Sequence, residues 1–155
     1  MDIFEAARTN DIPALEGFLT SHQLNARDAR GSTALIIATY HNHAAAVTTL
    51  LQAGADTEIQ DNMGNTALMG VCFKGYIEMA DLLLKHGAKV DAENYNGATA
   101  LTFAATFGRT GIIRLLLSHG ASPLKRDKSG RSPIDYARLQ QNRTSYEALF
   151  AAATR

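Results

Sequence analysis

The sequence predicts an all-α solenoid of stacked helix-turn-helix units, and three observations predict it. The first is a period: Gly31, Gly64, Gly97 and Gly130 follow one another at intervals of 33 residues. The second is another glycine series, Gly54, Gly87 and Gly120, with the same spacing, so both halves of the unit repeat in register. The third is the text around the glycines. GSTAL (31–35), GNTAL (64–68), GATAL (97–101) and GRSPI (130–134) belong to one series; LLQAGA (50–55), LLLKHGA (82–88) and LLLSHGA (115–121) belong to the other. Self-similarity at a fixed period of about 20–50 residues means stacked supersecondary units, each unable to bury its apolar face alone.

The elements then follow in order. Residues 1–28, MDIFEAARTNDIPALEGFLTSHQLNARD, read as a first unit without its hairpin start and short of one residue at its turn, a divergent cap. Three central units are expected over 29–60, 61–93 and 94–126, and the second shows the local causes best. Thr66 is placed to cap a helix that begins at Ala67, because its hydroxyl can accept one of the unpaired N–H groups of a first turn. The helix ALMGVCFK is broken by Gly75, and YIEMADLLLKH forms a second helix with Ile77, Ala80, Leu83 and Leu84 expected on its buried face. Gly87 ends that helix where a left-handed residue is needed. The polar run AKVDAENYNG reverses the chain, and Gly97 lets it turn tightly. Residues 127–155 form the closing cap, with GRSPIDYA and then SYEALFAAATR, whose Tyr146, Leu149 and Phe150 supply one face. Helices shorter than about 12–15 residues are marginal in isolation, so stacking must supply the stability.

With these motifs the chain resembles an ankyrin-repeat protein, whose signature is a G-x-TPLHxAA helix, a G-H turn and an LLxxGAD-N ending. The match runs through GSTALIIATYHNH…LLQAGAD (31–56), GNTALMGVCFKGY…LLLKHGAKVD (64–91) and GATALTFAATFGR…LLLSHGAS (97–122), nearly the whole chain. The chain departs from the signature with TALI, TALM and TALT: the proline appears only at Pro133, and the histidine at none of these positions. The resemblance implies a solenoid with hairpin-like fingers and a concave groove in which another protein docks. Carried onto this chain, the inner-helix positions of the groove are Tyr40, His41, Phe73, Lys74, Thr106 and Phe107, with one strip of three aromatics among them. At the finger tips stand Met63, Asn65, Tyr95 and Asn96, beside Gln60, Asn62 and Glu93. Arg27 and Arg30 mark the first tip, and Arg126, Lys128 and Arg131 the last. The groove is therefore expected to be basic at both rims, neutral to acidic at its centre, and suited to a partner with an acidic feature.

Composition restricts the alternatives. A hydrophobic fraction of 46% excludes a disordered chain, and 15 basic against 15 acidic residues disfavours a general polyanion binder or a nucleic-acid partner. The single cysteine, Cys72, stands where the family has a small buried alanine and is expected to be a structural thiol. His86 and His119 are one repeat apart, about 8–10 Å, too far to share a zinc ion, while His41 and His43 are expected to point in different directions. No catalytic elbow, triad or phosphate loop appears, so no enzyme activity, metal or cofactor is expected. With no apolar leader in MDIFEAARTND and no run approaching a membrane span, the expectation is a soluble, cytoplasmic monomer, in which the sequon Asn142-Arg143-Thr144 is idle.

Overall fold

The computed structural model of the chain describes residues 1–155, apart from the side chain of Ser21. Among the described residues there are eleven helices and no strand. α1 (Ile3–Thr9) and α2 (Ile12–Glu16) form the first pair, followed by the single turn α3 (Ser21–Leu24). The later pairs are α4 (Ala34–Tyr40) with α5 (Ala44–Gln52), α6 (Ala67–Lys74) with α7 (Ile77–Lys85), α8 (Ala100–Thr106) with α9 (Thr110–Ser118), and α10 (Pro133–Leu139) with α11 (Arg143–Ala153).

Each first helix starts at a side-chain cap. The hydroxyls of Thr33, Thr66, Thr99 and Ser132 accept from the backbone N–H of Ile36, Met69, Thr102 and Asp135, as expected for Thr66 and repeated through the chain. Each first helix also stops after about two turns, at residues held in left-handed φ. Gly75 and Gly108 do so with glycine, whereas Asn42 (φ 60°) and Gln141 (φ 55°) take the same turn with a side chain attached.

Leucines of the TAL motif form a column through the stack, Leu35, Leu68, Leu101 and then Ile134, all buried. A parallel column from the second helices, Leu50, Leu83, Leu116 and Leu149, is fully buried as well. The first helices pack closely along one another from α1 to α10, while the second helices of the central units touch more sparsely. A row packed tightly on one side and loosely on the other curves, so the first helices form the inner, concave row.

Two expectations about faces are corrected. Ile77 is 45% exposed: as the first residue of α7 it stays at the rim against Gly111 of the next outer helix, and Met79 takes the core position beside Ala80, Leu83 and Leu84. In α11, Leu149 turns into the core while Phe150 is exposed and stacks on Tyr146 at 5.8 Å, so these three do not share one face.

Between units the chain makes the reversed turns expected of fingers. Asp28, Asp61, Asn94 and Asp127 each accept, through one side-chain oxygen, the N–H groups two and four residues on, at 2.9 to 3.2 Å. Adjacent fingers share one backbone bond each: Asn62 N–H donates to Arg30 O (3.0 Å), Tyr95 N–H to Met63 O (3.4 Å) and Lys128 N–H to Asn96 O (2.9 Å). One bond per finger is too few for a ladder, so the fingers stack without forming a sheet. Below them a second set of staples repeats, with Asn25, Glu58 and Asp91 accepting from the N–H of Asp56, Lys89 and Ser122 in the following unit.

Candidate functional site: a groove between fingers and inner helices

A cleft of about 850 Å³ opens between the first two fingers and the inner helices. One wall is finger backbone and side chains, Asp28 to Arg30 and Asp61 to Met63; the floor is Ile36, Ile37, Tyr40 and His41 of the α4 end, with Arg8 of α1 closing the side. Tyr40 is 41% exposed because it belongs to the last turn of a helix whose next residue already leaves the stack. Its ring meets His41 edge-on at 5.9 Å, and Lys74 Nζ from α6 lies 4.8 Å from its centre. That cation holds Tyr40 in place while leaving one flank open to the cleft.

The expected aromatic strip is present in two pieces. Phe73 and Phe107 are exposed at the ends of α6 and α8, and their rings meet edge-to-face at 4.8 Å. Tyr40 makes no ring contact with them and packs instead on Lys74, which lies between Tyr40 and Tyr76, 5.7 Å from the latter ring. Thr106 is half-buried, its hydroxyl donating back to Thr102 O at 2.7 Å, so it offers the groove a methyl group rather than a donor.

At the tips, Met63 is 63% exposed and lines the cleft. Tyr95 is also exposed, with its ring laid against Gly64 of the preceding finger. Asn65 is placed differently from expectation: its Oδ1 accepts from Asn94 Nδ2 at 2.9 Å, which ties two fingers together. Asn96 stays exposed. At the last finger Arg126, Lys128 and Arg131 all point to solvent, and Arg126 borders a second cleft of about 450 Å³ with Leu124, Tyr146 and Phe150. Arg27 does not act as a rim charge of the expected kind, because its guanidinium donates to Gly31 O and to Gln60 O of the next finger (3.1 and 2.9 Å). Gln60, one period later, does the same to Gly64 O and Glu93 O. At that position a long donor side chain brackets two fingers.

Basic side chains gather around His41. Burial, with His43, Arg8 and Lys74 nearby, holds its imidazole below the ordinary range. The expectation that His41 and His43 diverge is corrected: their rings stack at 6.0 Å, because His43 turns back to donate its Nε2 proton to Arg8 O (2.8 Å). Cys72 is fully buried in α6, and burial pushes its thiol far up, away from thiolate chemistry. At the last finger, burial raises the Asp127 carboxyl, but hydrogen bonds from Ser129, Tyr136 and the backbone N–H of Arg131 and Ser129 outweigh it and leave the group below the usual carboxylate range.

Several residues of the site lie outside those singled out in the sequence. Arg8 faces the cleft, and its signal was available: it stands 33 residues before His41. The four Asp and Asn residues of the finger turns share that periodicity. Arg109, whose guanidinium donates to Phe73 O at 2.9 Å and packs on Gly75, had no such signal, since its counterparts are His43, Tyr76 and Asn142.

Among the described residues no group of acidic, histidine and cysteine side chains could hold a metal ion, and no helix is long and apolar enough to cross a membrane. No curated protein matches the chain in a sequence search. Family models do match: one for ankyrin repeats in three copies covers residues 3–94, and a second, for ankyrin repeats in many copies, covers residues 83–137. Together with the capped inner helices, the paired outer helices and the stacked fingers, these matches establish that the chain belongs to the ankyrin-repeat family.

Proposed function

We infer that this protein binds another protein through the groove, with no chemistry of its own, and regulates that partner by covering part of its surface. Ankyrin repeats are in general protein–protein interaction modules. The observation that carries the assignment to the groove is the set of exposed rings Tyr40, Phe73 and Phe107 in three consecutive units, the first of them lining an open cleft. Large aromatics left half-exposed on a rigid surface are what interfaces use as anchors, because they bury much area and lose little side-chain freedom. Stacking rather than loop flexibility sets their positions, so little ordering is required when a partner docks.

The test is a selection of peptides from a display library on the immobilised full chain, with the Tyr40→Ala, Phe73→Ala, Phe107→Ala triple variant as the comparison. Binders should be recovered on the wild type and lost on a triple variant that melts normally. Binders held equally by both would move the site to the convex face or to a cap.

A further inference from the structure

Arg8, His41 and Lys74 stand at the same place in three successive units, 33 residues apart. Arg8 lies in the last turn of α1, His41 caps the C-terminus of α4, and Lys74 is the last residue of α6. The next member of the row is Phe107, so the ladder of basic residues ends in an aromatic ring. A helix C-terminus favours a basic side chain, which accounts for one basic residue per helix. It does not account for a cleft lined by Arg8 and His41, with Lys74 packed on the Tyr40 ring of its floor, nor for Arg30 facing the same space from the opposite finger. The cleft also has carboxylates, Asp28 and Asp61, but each has an oxygen committed to the N–H groups of its own finger. Ile36, Tyr40 and Met63 supply the apolar surface between the charges.

We propose that the N-terminal half of the groove receives an extended acidic segment of a partner protein, its carboxylates along the Arg8–His41–Lys74 ladder and one apolar side chain in the cleft between Tyr40 and Met63. The proposal rests on the protein-binding function inferred above and adds the chemistry of the partner. Neighbouring inner helices are spaced by about 8–10 Å. Alternate side chains of an extended chain share one face and repeat every ~7 Å, so acidic residues two positions apart come near successive rungs. Arg8 keeps an exposed bridge to Glu5 at 2.7 Å, which a partner carboxylate can exchange without a buried cost.

The ladder couples binding to protons. His41 is faced by Arg8 from α1, by His43 at the start of α5, by Lys74 from α6 and by the edge of Tyr40. Among the described residues no carboxylate forms an ion pair with it, and burial, together with those cationic neighbours, holds its imidazole below the ordinary range. A carboxylate seated on the ladder reverses that field and raises the imidazole pKa. Binding therefore takes up a proton and tightens as pH falls through the raised bound value toward the free value, which lies below about 6.5, until the partner's own carboxylates titrate near pH 4.

The test uses the full chain and three probes: a short fluorescein-labelled peptide alternating Glu and Phe, its Gln-for-Glu twin, and an oligothymidine of equal length. Anisotropy should show the Glu peptide binding at least tenfold more tightly than the twin and the oligonucleotide. Its affinity should rise with acid by up to about tenfold for each unit that the His41 pKa climbs. His41→Gln should abolish that rise, and His41→Lys should bind tightly throughout that pH range. Equal binding of the twin, tighter binding of the oligonucleotide, or an unchanged pH profile in His41→Gln would overturn the proposal. Display-selected peptides that need Tyr40, Phe73 and Phe107 but tolerate Arg8→Glu with Lys74→Glu would overturn it too, while leaving the protein-binding function standing.

Discussion

Gly64 and Gly87 have nearly the same left-handed φ, +84° and +89°, but their surroundings differ. A Cβ at Gly87 would meet nothing within 4 Å, whereas at Gly64 it would lie 2.5 Å from Tyr95 N and 2.8 Å from the Tyr95 ring. Gly87→Ala should therefore lose about 1 kcal/mol, the strain of a side chain at positive φ, and Gly64→Ala distinctly more, since finger backbone must move as well. Urea titrations of the two variants compare them directly; equal losses would contradict the close approach. The need for glycine was legible in both cases, because one series stops helices and the other turns fingers. The Tyr95 contact was not, since it comes from the next finger and no pattern within one unit records it. Asp127 gives a second case. Its folded-state pKa lies below the ordinary value of about 3.9, so its contribution is complete above that value and is lost as pH falls through the lower folded pKa. Asp127→Asn keeps the oxygen that accepts from Ser129 and Arg131, as Asn94 does at the equivalent turn, and removes the titrating charge. Its stability should fall less than the wild type's between pH 5 and pH 2, a difference visible in thermal melts across that range. Parallel decline would show that the Tyr136 and Ser129 bonds do not depress the carboxyl.

At the scale of the element, the inner helices have seven or eight residues, too few to hold together alone, and each depends on a hydroxyl cap and a left-handed stop. The caps were legible to the residue because Thr precedes Ala-Leu in three units and Ser precedes Pro-Ile in the fourth. The stops were legible only where they are glycine. Asn42 and Gln141 do the work of Gly75 and Gly108, and neither announces a left-handed turn when read alone. Ile77 was misplaced for a related reason: apolar spacing identifies a face of a helix, but a first-turn residue at the edge of a stack can satisfy that spacing and still stay at the rim. The aromatics Tyr40, Phe73 and Phe107 were legible as a row and not as a packing arrangement, because a gap filled by Lys74 depends on rotamers. Thr66→Ala removes the acceptor for Met69 N–H at the start of the central inner helix. The loss should be about 1 kcal/mol, with hydrogen exchange faster in the first turn of α6 and unchanged in α10. Uniformly faster exchange along the whole chain would mean that the cap acts through global unfolding instead.

Over the whole molecule, neutrality conceals an uneven field. The sequence carries 15 acidic and 15 basic residues. Many carboxylates are turned toward backbone: Asp2, Asp11 and Asp135 at helix starts, Asp28, Asp61 and Asp127 in fingers, Glu58 and Asp91 in the staples between units. Composition could not reveal this, because it counts charges without their direction. Cations remain outward at both ends of the groove, Arg8 and Arg30 at the first cleft with half-buried Lys74 one unit on, and Arg126, Lys128 and Arg131 at the last finger, while Lys85, Lys89 and Arg114 are exposed elsewhere. The two groups should differ in effect. Arg8 lines the cleft and Lys74 packs on the ring of Tyr40 at its floor, where a docked side chain excludes water, so reversing them should shorten the lifetime of a complex. Arg126, Lys128 and Arg131 sit in open solvent at the last finger, where salt screens a charge within about 8–10 Å and a partner is steered rather than held. Reversing all three to glutamate should slow association with an acidic partner several-fold, flatten the salt dependence of the on-rate, and leave the off-rate within about twofold of wild type. Surface-exchange kinetics over a range of salt concentrations separates the two rates. An off-rate that rises as steeply as the on-rate falls would place the partner across the last finger itself, making those three residues contacts rather than a guiding rim.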